Sequence, residues 1–504
     1  MDSPTFTSHK MLFLNTLAFT ICFAAWMFNG VTVTFLVDNG VYDWNSVQVG
    51  LLLGIPVLTG AIFRLPLGIL TDKFGGKWVF GGLLLVSAIP MFLLQYADSF
   101  IGFALCGFGY GLTGASFAVG IAYTSMWYNK AWQGRALGIF GAGNAGAALT
   151  TLFAPTALLS LTNNGTELEG WRTLPVIYAA ILVGMAVIFL LFAKNKKPDT
   201  QRTLKKLLRP LGSIRVWRFG LYYFLVFGCF VAFSQWLVPY FVNVYYLPLV
   251  TAGLLAAAFS LPSGLTRALG GVLSDKLGAR KVMYWVLGSS LVISFLLIFP
   301  KMEITSPGNG IMAKKAGTVT RVAEDKIEVA GIEYSLKAKR GTSAEISEED
   351  IVFPEKSSWH EPVVEEGQQV VKKELLARGE TKIYFQANIW VFTVLVILLG
   401  SIWGIGMAAV YKHIPEYFPE EVGVVGGMVG VLGGLGGFFC PIIFGYLLEN
   451  SGLWTSSWMF TLILSGICLW WMHRVIQKMM YREQPDLMRQ IEAKDQPNIR
   501  SKND

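Results

Sequence analysis

Arg64-Leu-Pro-Leu-Gly68-Ile-Leu-Thr-Asp72-Lys-Phe-Gly75-Gly-Lys77 and Arg267-Ala-Leu-Gly-Gly271-Val-Leu-Ser-Asp275-Lys-Leu-Gly278-Ala-Arg280 follow one frame, R-x-x-x-G-x-L-[TS]-D-K-x-G-x-[KR]. A frame repeated at that length means that the chain is built from two homologous halves. Each copy opens on an arginine set deep in an apolar run, and a charge in such a setting is expensive and normally functional. Two of them at matching positions point to a single site between the halves, made to hold an anion.

The surrounding composition identifies the medium. Of 504 residues 53% are hydrophobic and only 15% charged, where a soluble chain carries about 25%. The apolar residues fall in runs of roughly 18 to 28, long enough to cross a ~30 Å hydrocarbon core as helices. They lie at about 11–36, 46–70, 78–96, 99–127, 134–160, 172–193, 218–246, 250–272, 281–300, 386–411, 421–448 and 454–473. Buried helices of a soluble protein do not account for twelve such runs. The sequence therefore predicts an all-α polytopic protein of the lipid bilayer, in the inner or plasma membrane.

Charge sets the expected orientation. The segment 194–218 holds Lys194, Lys196, Lys197, Arg202, Lys205, Lys206, Arg209, Arg215 and Arg218 against the single acid Asp199, while short loops on the other side carry mostly acids. By the positive-inside rule both termini and the central linker are cytoplasmic. The net charge of +8 follows from that topology. No basic patch is interleaved with exposed aromatics as single-strand binders require, so no nucleic-acid partner is expected. Cys22, Cys106, Cys229, Cys440 and Cys468 all lie within apolar runs, which gives neither a disulfide framework nor a CxxC metal site. The first run is too long for a cleavable signal peptide and reads as the first span.

The linker 194–217 divides the runs six and six, and the frame closes the second run and again the eighth. Parallel six-span repeats place a substrate site near the midplane between them. Residues 68–77 resemble the signature loop of the major facilitator superfamily between helices two and three, and 271–280 resemble its second copy. The resemblance implies a twelve-helix fold of 6+6 repeats. The expected division is an N-terminal bundle 1–193, the linker 194–217, the first part of a C-terminal bundle 218–300, an insertion 301–385, the rest of that bundle 386–478, and a cytoplasmic tail 479–504. Asp72 with Gly75, and Asp275 with Gly278, read as helix-end clamps, a structural and conformational role.

Residues 301–385 break the pattern between the ninth and tenth runs, on the side predicted to be extracytoplasmic. Gly317-Thr-Val-Thr-Arg-Val and Lys326-Ile-Glu-Val-Ala-Gly-Ile-Glu-Tyr-Ser-Leu alternate at period two with turn residues between, which predicts short half-buried strands. Glu361-Pro-Val-Val-Glu-Glu-Gly367-Gln-Gln-Val-Val-Lys-Lys-Glu-Leu-Leu-Ala-Arg-Gly379 resembles the barrel-sandwich hybrid fold of biotinyl and lipoyl domains. The Met-Lys-Met hairpin that carries their cofactor is missing, so no attached cofactor is expected. The segment reads as a small β-rich structural or docking appendage, and its partner is not legible.

Arg64 and Arg267 stand eight residues before Asp72 and Asp275. Eight residues of helix rise about 12 Å, against a half-thickness of about 15 Å for the core, so both guanidiniums start near the midplane. None of the twelve runs holds an Asp or Glu in its middle. With no internal counter-ion the two charges need a mobile one. Guanidinium keeps its proton and offers a planar fork of donors, which a small planar oxyanion such as nitrate or nitrite matches.

Gly114-Ala-Ser-Phe117-Ala-Val-Gly120, then Trp127, then Gln133-Gly-Arg-Ala-Leu-Gly138-Ile-Phe-Gly141-Ala-Gly143-Asn144-Ala-Gly146 closely resemble the nitrate/nitrite porter family, whose signature is a Gly-rich fifth helix with an embedded Asn. Gly426-Gly-Met-Val-Gly430-Val-Leu-Gly433-Gly434-Leu-Gly436-Gly437-Phe-Phe-Cys-Pro441 matches its companion signature in helix eleven, and Tyr411-Lys-His-Ile-Pro415 the end of helix ten. The resemblance covers the twelve spans and omits 301–385. It implies substrate arginines at Arg64 and Arg267, the helix-five Asn at Asn144, the helix-four aromatic at Phe117, and a helix-seven Tyr-x-x-x-Phe-Gly pattern at Tyr223 and Phe227. Asn144 would offer an amide donor and Tyr223 a phenolic one. Phe117 and Phe227 would sandwich a planar anion and exclude water, which strengthens the arginine contacts. Gly141, Gly143 and Gly146, with Gly430, Gly433 and Gly434, are expected to give helices five and eleven a close sliding surface.

No nucleophile–base pair or metal cluster is present, so an enzyme is not expected. A proton-coupled carrier usually needs an intramembrane Asp, Glu or His. His413, with Glu416, and His473 lie at cytoplasmic ends of spans. Closing an anion-free cavity over two uncompensated arginines costs on the order of several kcal/mol. Nitrate/nitrite exchange by rocking of the halves is therefore expected, with proton-coupled nitrate symport as the alternative. A carrier of another small anion such as oxalate or formate, and a receptor with 301–385 as its ligand module, are the remaining readings.

Overall fold

The computed structural model describes residues 4–197, 209–299, 302–323, 325–338, 355–385, 388–418 and 422–483. The linker residues Asp199, Arg202, Lys205 and Lys206, and the tail beyond Glu483, lie outside them. The chain forms two compact units, Met1–Phe295 with Val396–Asp504, and Leu296–Leu395.

In the first unit the long apolar runs have no way to satisfy their backbone in lipid other than as helices. Among the described residues twelve are long and apolar enough to span: α1 Phe6–Asp38, α2 Ser46–Phe74, α3 Gly76–Tyr96, α4 Phe100–Ser125, α5 Ala136–Leu161, α6 Leu168–Phe192, α7 Ile214–Tyr245, α8 Leu249–Leu277, α9 Ala279–Leu296, α10 Ile389–Ile414, α11 Val425–Ser451 and α12 Ser456–Met479. Side chains stop the orphan amides at the helix starts. Asn45 and Gln48 form a reciprocal capping box before α2, at 2.9 and 3.0 Å, and the Ser99 hydroxyl accepts from the Gly102 amide before α4.

The repeated frame produces the same local structure in both halves. Gly75 ends α2 at φ +89° and Gly278 ends α8 at φ +85°, donating backbone N–H groups to Thr71 O at 2.9 Å and Ser274 O at 3.1 Å. This left-handed stop favours glycine. Asp275 forms an ion pair with Lys412 near the end of α10, a charge clamp between helix ends.

The two halves meet through small residues. A side chain on Gly50 or Gly54 of α2 would run into the Pro441 or Phe438 carbonyl of α11, and one on Gly445 of α11 into the Ser46 carbonyl. Gly253 of α8 lies on the Thr151 carbonyl of α5, and Gly30 of α1 on Gln235 of α7. Backbones can approach this closely only where Cβ is absent, the usual device of membrane helix pairs.

The second unit holds two antiparallel sheets, built from β1 Met302–Met312, β2 Gly317–Val322, β3 Lys326–Val329, β4 Ile332–Ser335, β5 Glu355–Pro362, β6 Gln369–Val370 and β7 Leu375–Phe385. Their orders are β1-β7-β5 and β4-β3-β2-β6. The run 326–336 turns back on itself at Ala330 and Gly331, with φ of +49° and +76°, the two positive values of a tight hairpin turn. Val319, Ile327, Val329, Val370 and Leu376 fill its core.

Candidate functional site

Five of the six expected site residues stand beside an interruption of ordinary α-helix, while Arg267 lies within the unbroken helix Leu249–Leu277. Pro66 has no N–H, and its ring crowds the carbonyl four residues back. The helix accordingly stops at Ile62, turns at Phe63 and restarts at Arg64. Phe117 follows a 3-10 turn at Gly111–Ala115, and Asn144 sits within another at Ala142–Ala145. Tyr223 and Phe227 bracket the start of a π-helical turn, Phe224–Cys229. Such departures re-aim side chains and cluster at functional sites, and interrupted helices near the repeat interface mark carrier binding sites.

The side chains converge on the Phe117 ring. The Arg64 guanidinium carbon lies 5.4 Å from its centroid and the Arg267 carbon 5.2 Å. Arg64 is also 5.2 Å from the Phe227 centroid and 6.0 Å from that of Trp26. Phe117 and Phe227 face each other at 6.5 Å, inclined by 24°. Phe227 stacks on Tyr223 at 4.9 Å and 8°, and Arg267 Nη2 donates to Tyr223 Oη at 3.4 Å. Cations over aromatic faces are attracted to the ring quadrupole, so the rings hold both arginines in place without neutralising either.

The donor inventory is incomplete in an informative way. Arg64 is only 3% exposed. Its Nη1 donates to the Gly430 carbonyl, while Nε and Nη2 are buried without a partner. Arg267 Nη1 and both amide atoms of the fully buried Asn144 are in the same condition. Among the described residues no carboxylate pairs with either arginine. A buried donor left unmade costs about 1–3 kcal/mol, more when charged. An acceptor-only, negatively charged group with several oxygens would relieve that cost.

The glycines divide by role. Gly141 lies 3.5 Å from Arg267 Nε by the position of an added Cβ, whereas Gly143 and Gly146 back onto Phe19 and the Thr20 carbonyl of α1 in their own half. On α11, Gly433 faces the Tyr223 ring, while Gly430 and Gly434 face Arg64. Tyr411 was marked in the sequence only as part of a family-like run. Here its ring meets Tyr223 edge-on at 5.1 Å, and its hydroxyl donates to Gly426 O at 3.0 Å. Phe19 and Phe140 stack at 4.7 Å behind Phe117. Nothing in their immediate sequence separates these aromatics from lipid-facing ones.

Comparison with known proteins places this geometry among relatives. A model of the Major Facilitator Superfamily matches residues 14–312 and 381–501. The chain is 38% identical over 496 residues to a "Probable nitrate/nitrite antiporter NarK1" of Thermus thermophilus, covering 97% of this chain and 96% of that one. It is 26% identical over 454 residues to a "Nitrite extrusion protein" of Bacillus subtilis, 90% of each. Among solved structures, the inward-facing, occupied form of a bacterial homologue of the human lysosomal transporter Spinster shares the fold, with a TM-score of 0.62, 14% identity and coverage of 94% of this chain and 98% of that one.

Proposed function

The chain belongs to the Major Facilitator Superfamily, and we propose that within it the protein exchanges nitrate and nitrite across a cell membrane by alternating access. One observation carries the reading. Arg64 from one half and Arg267 from the other flank a single ring, each with buried donors unspent. No span holds an Asp or Glu in its middle to answer them. The relative described as a probable nitrate/nitrite antiporter, 38% identical, supports the choice of anion.

In this reading a flat oxyanion lies beside the Phe117 and Phe227 rings. Their 6.5 Å separation is close to the ~7 Å that two van der Waals layers need. Arg64 Nε and Nη2 take oxygens from one side, and Arg267 Nη1 from the other, with Asn144 supplying a neutral amide donor. The Gly430 carbonyl holds Arg64 in place but, being neutral, leaves its charge uncompensated. Rocking the halves past each other with the site anion-free desolvates both guanidiniums; with an anion bound the charges are partly answered. That asymmetry makes the exchange obligatory. His413 meets the Ala409 carbonyl through Nδ1 at 3.0 Å and packs on Phe219, which supports exchange over a proton relay at the arginines. The basic segment 194–218 supports cytoplasmic termini, with the β-rich unit on the opposite side.

Purified protein in vesicles tests it. Labelled nitrate uptake should require nitrate or nitrite on the far side, falling about tenfold without it, the factor that ~1.4 kcal/mol gives. An imposed pH gradient should not restore it. Uptake undiminished without far-side anion, and driven by the pH gradient, would overturn exchange.

A further inference from the structure

Helix α7 turns Tyr223 toward Arg267, and the residue before it turns away. Tyr222 lines a separate crevice among α7, α9, α10 and α12, together with Arg218, Arg280 and His413. Arg218 is 8% exposed, Tyr222 4% and His413 7%, and the Tyr222 hydroxyl is buried with no partner. Among the described residues the charged neighbours of Arg218 are Arg215 and Arg280, both cationic. Among the described residues no carboxylate pairs with Arg218 or Arg280, and Asp275 is engaged by Lys412. The opposite wall is apolar, Met472 and Ile476 of α12.

We propose that this crevice binds one anionic phospholipid. Its phosphate sits on Arg218 and Arg280 and accepts from the Tyr222 hydroxyl, and an acyl chain lies against Met472 and Ile476. Basic pockets between spans at the cytoplasmic face take such headgroups, and guanidinium forks suit phosphate. The apolar wall distinguishes a lipid from a free phosphate, which has no use for it. The site is independent of the anion site, which uses other residues and the other face of α7.

Native mass spectrometry of the full chain in mild detergent decides the matter, with phosphatidylglycerol, phosphatidylcholine of the same chains, and glycerol 3-phosphate as probes. Phosphatidylglycerol should be retained at least about tenfold better than phosphatidylcholine, as two surface-level cationic contacts imply. Arg280→Gln alters an exposed residue that leaves folding intact, and should cut that preference severalfold. Arg218→Gln with Arg280→Gln should abolish it, and Tyr222→Phe should weaken it. Equal retention of the two lipids overturns the proposal, as does undiminished phosphatidylglycerol preference in monodisperse Arg280→Gln and double variants. Glycerol 3-phosphate displacing the lipid at equal concentration would assign the crevice to a free phosphate, and also overturns it.

Discussion

Arg64 carries out two tasks with one planar group. Nη1 is fixed on the Gly430 carbonyl, which leaves Nε and Nη2 side by side for an anion. A lysine would keep the charge but present a single ammonium, unable to reach the carbonyl and two oxygens together. Losing one charge-assisted hydrogen bond costs about 1.5–3 kcal/mol. Arg64→Lys should therefore lower nitrate counterflow by roughly ten- to a hundredfold at equal protein content, and Arg267→Lys should behave alike. Near-normal counterflow in either would remove the two-pronged contact from the mechanism. These arginines were legible in the sequence because the distance to Asp72 and Asp275 sets their depth, and the absence of acids sets their need. Asn144, Tyr223, Phe117 and Phe227 were marked only by family likeness. The structure brings Phe117, Phe227 and Tyr223 against the arginines. Tyr411 and Trp26 were not singled out, since one aromatic among many carries no sign of which face it occupies.

At the scale of the element, departures from regular helix are what aim the side chains. The π turn Phe224–Cys229 sits where Gly228 meets Gly436 of α11, so close that a Cβ on Gly228 would stand 2.6 Å from the Gly436 Cα. Backbone cannot give way as a flexible side chain does, and overpacking of this kind costs about 1–3 kcal/mol. Gly228→Ala should lower thermal stability in detergent and depress counterflow together, because Phe227 and Tyr223 ride on the same turn. Gly271→Ala is the matched contrast. Nothing lies within 4 Å of its added Cβ, and alanine favours helix by about 1 kcal/mol, so stability should hold or rise with transport unchanged. If Gly228→Ala matched Gly271→Ala in both measurements, the close α7–α11 approach would be wrong. Helix positions were readable from apolar run length alone. The π turn was not, because Phe224-Leu-Val-Phe-Gly-Cys229 is apolar throughout and its periodicity is the same for either hydrogen-bond pattern. The break at Phe63 had a visible cause in Pro66.

At the scale of the whole molecule, a fourteen-residue frame sufficed to reveal two halves, while the sheets of the inserted unit depend on pairings too distant to read. β1 pairs with β7, and Met302 stands opposite Phe385, a contact between the first and last strands of the segment. Alternation along each strand could indicate its faces but not its neighbour. That pairing has a practical consequence. Residues opposite in an antiparallel ladder lie about 4.5–5.5 Å apart, so the two ends of the inserted unit stand side by side. A linker of a few glycines and serines, at ~3.3 Å per residue, can join Phe299 to Asn388 without pulling α9 from α10. Every residue assigned to the anion site lies in the unit Met1–Phe295 with Val396–Asp504. The shortened protein should therefore retain nitrate/nitrite counterflow within about twofold, a change worth under ~0.5 kcal/mol. Loss of counterflow in a monodisperse shortened protein with wild-type helix content would show that the inserted unit takes part in transport, and would favour a ligand-binding role for it.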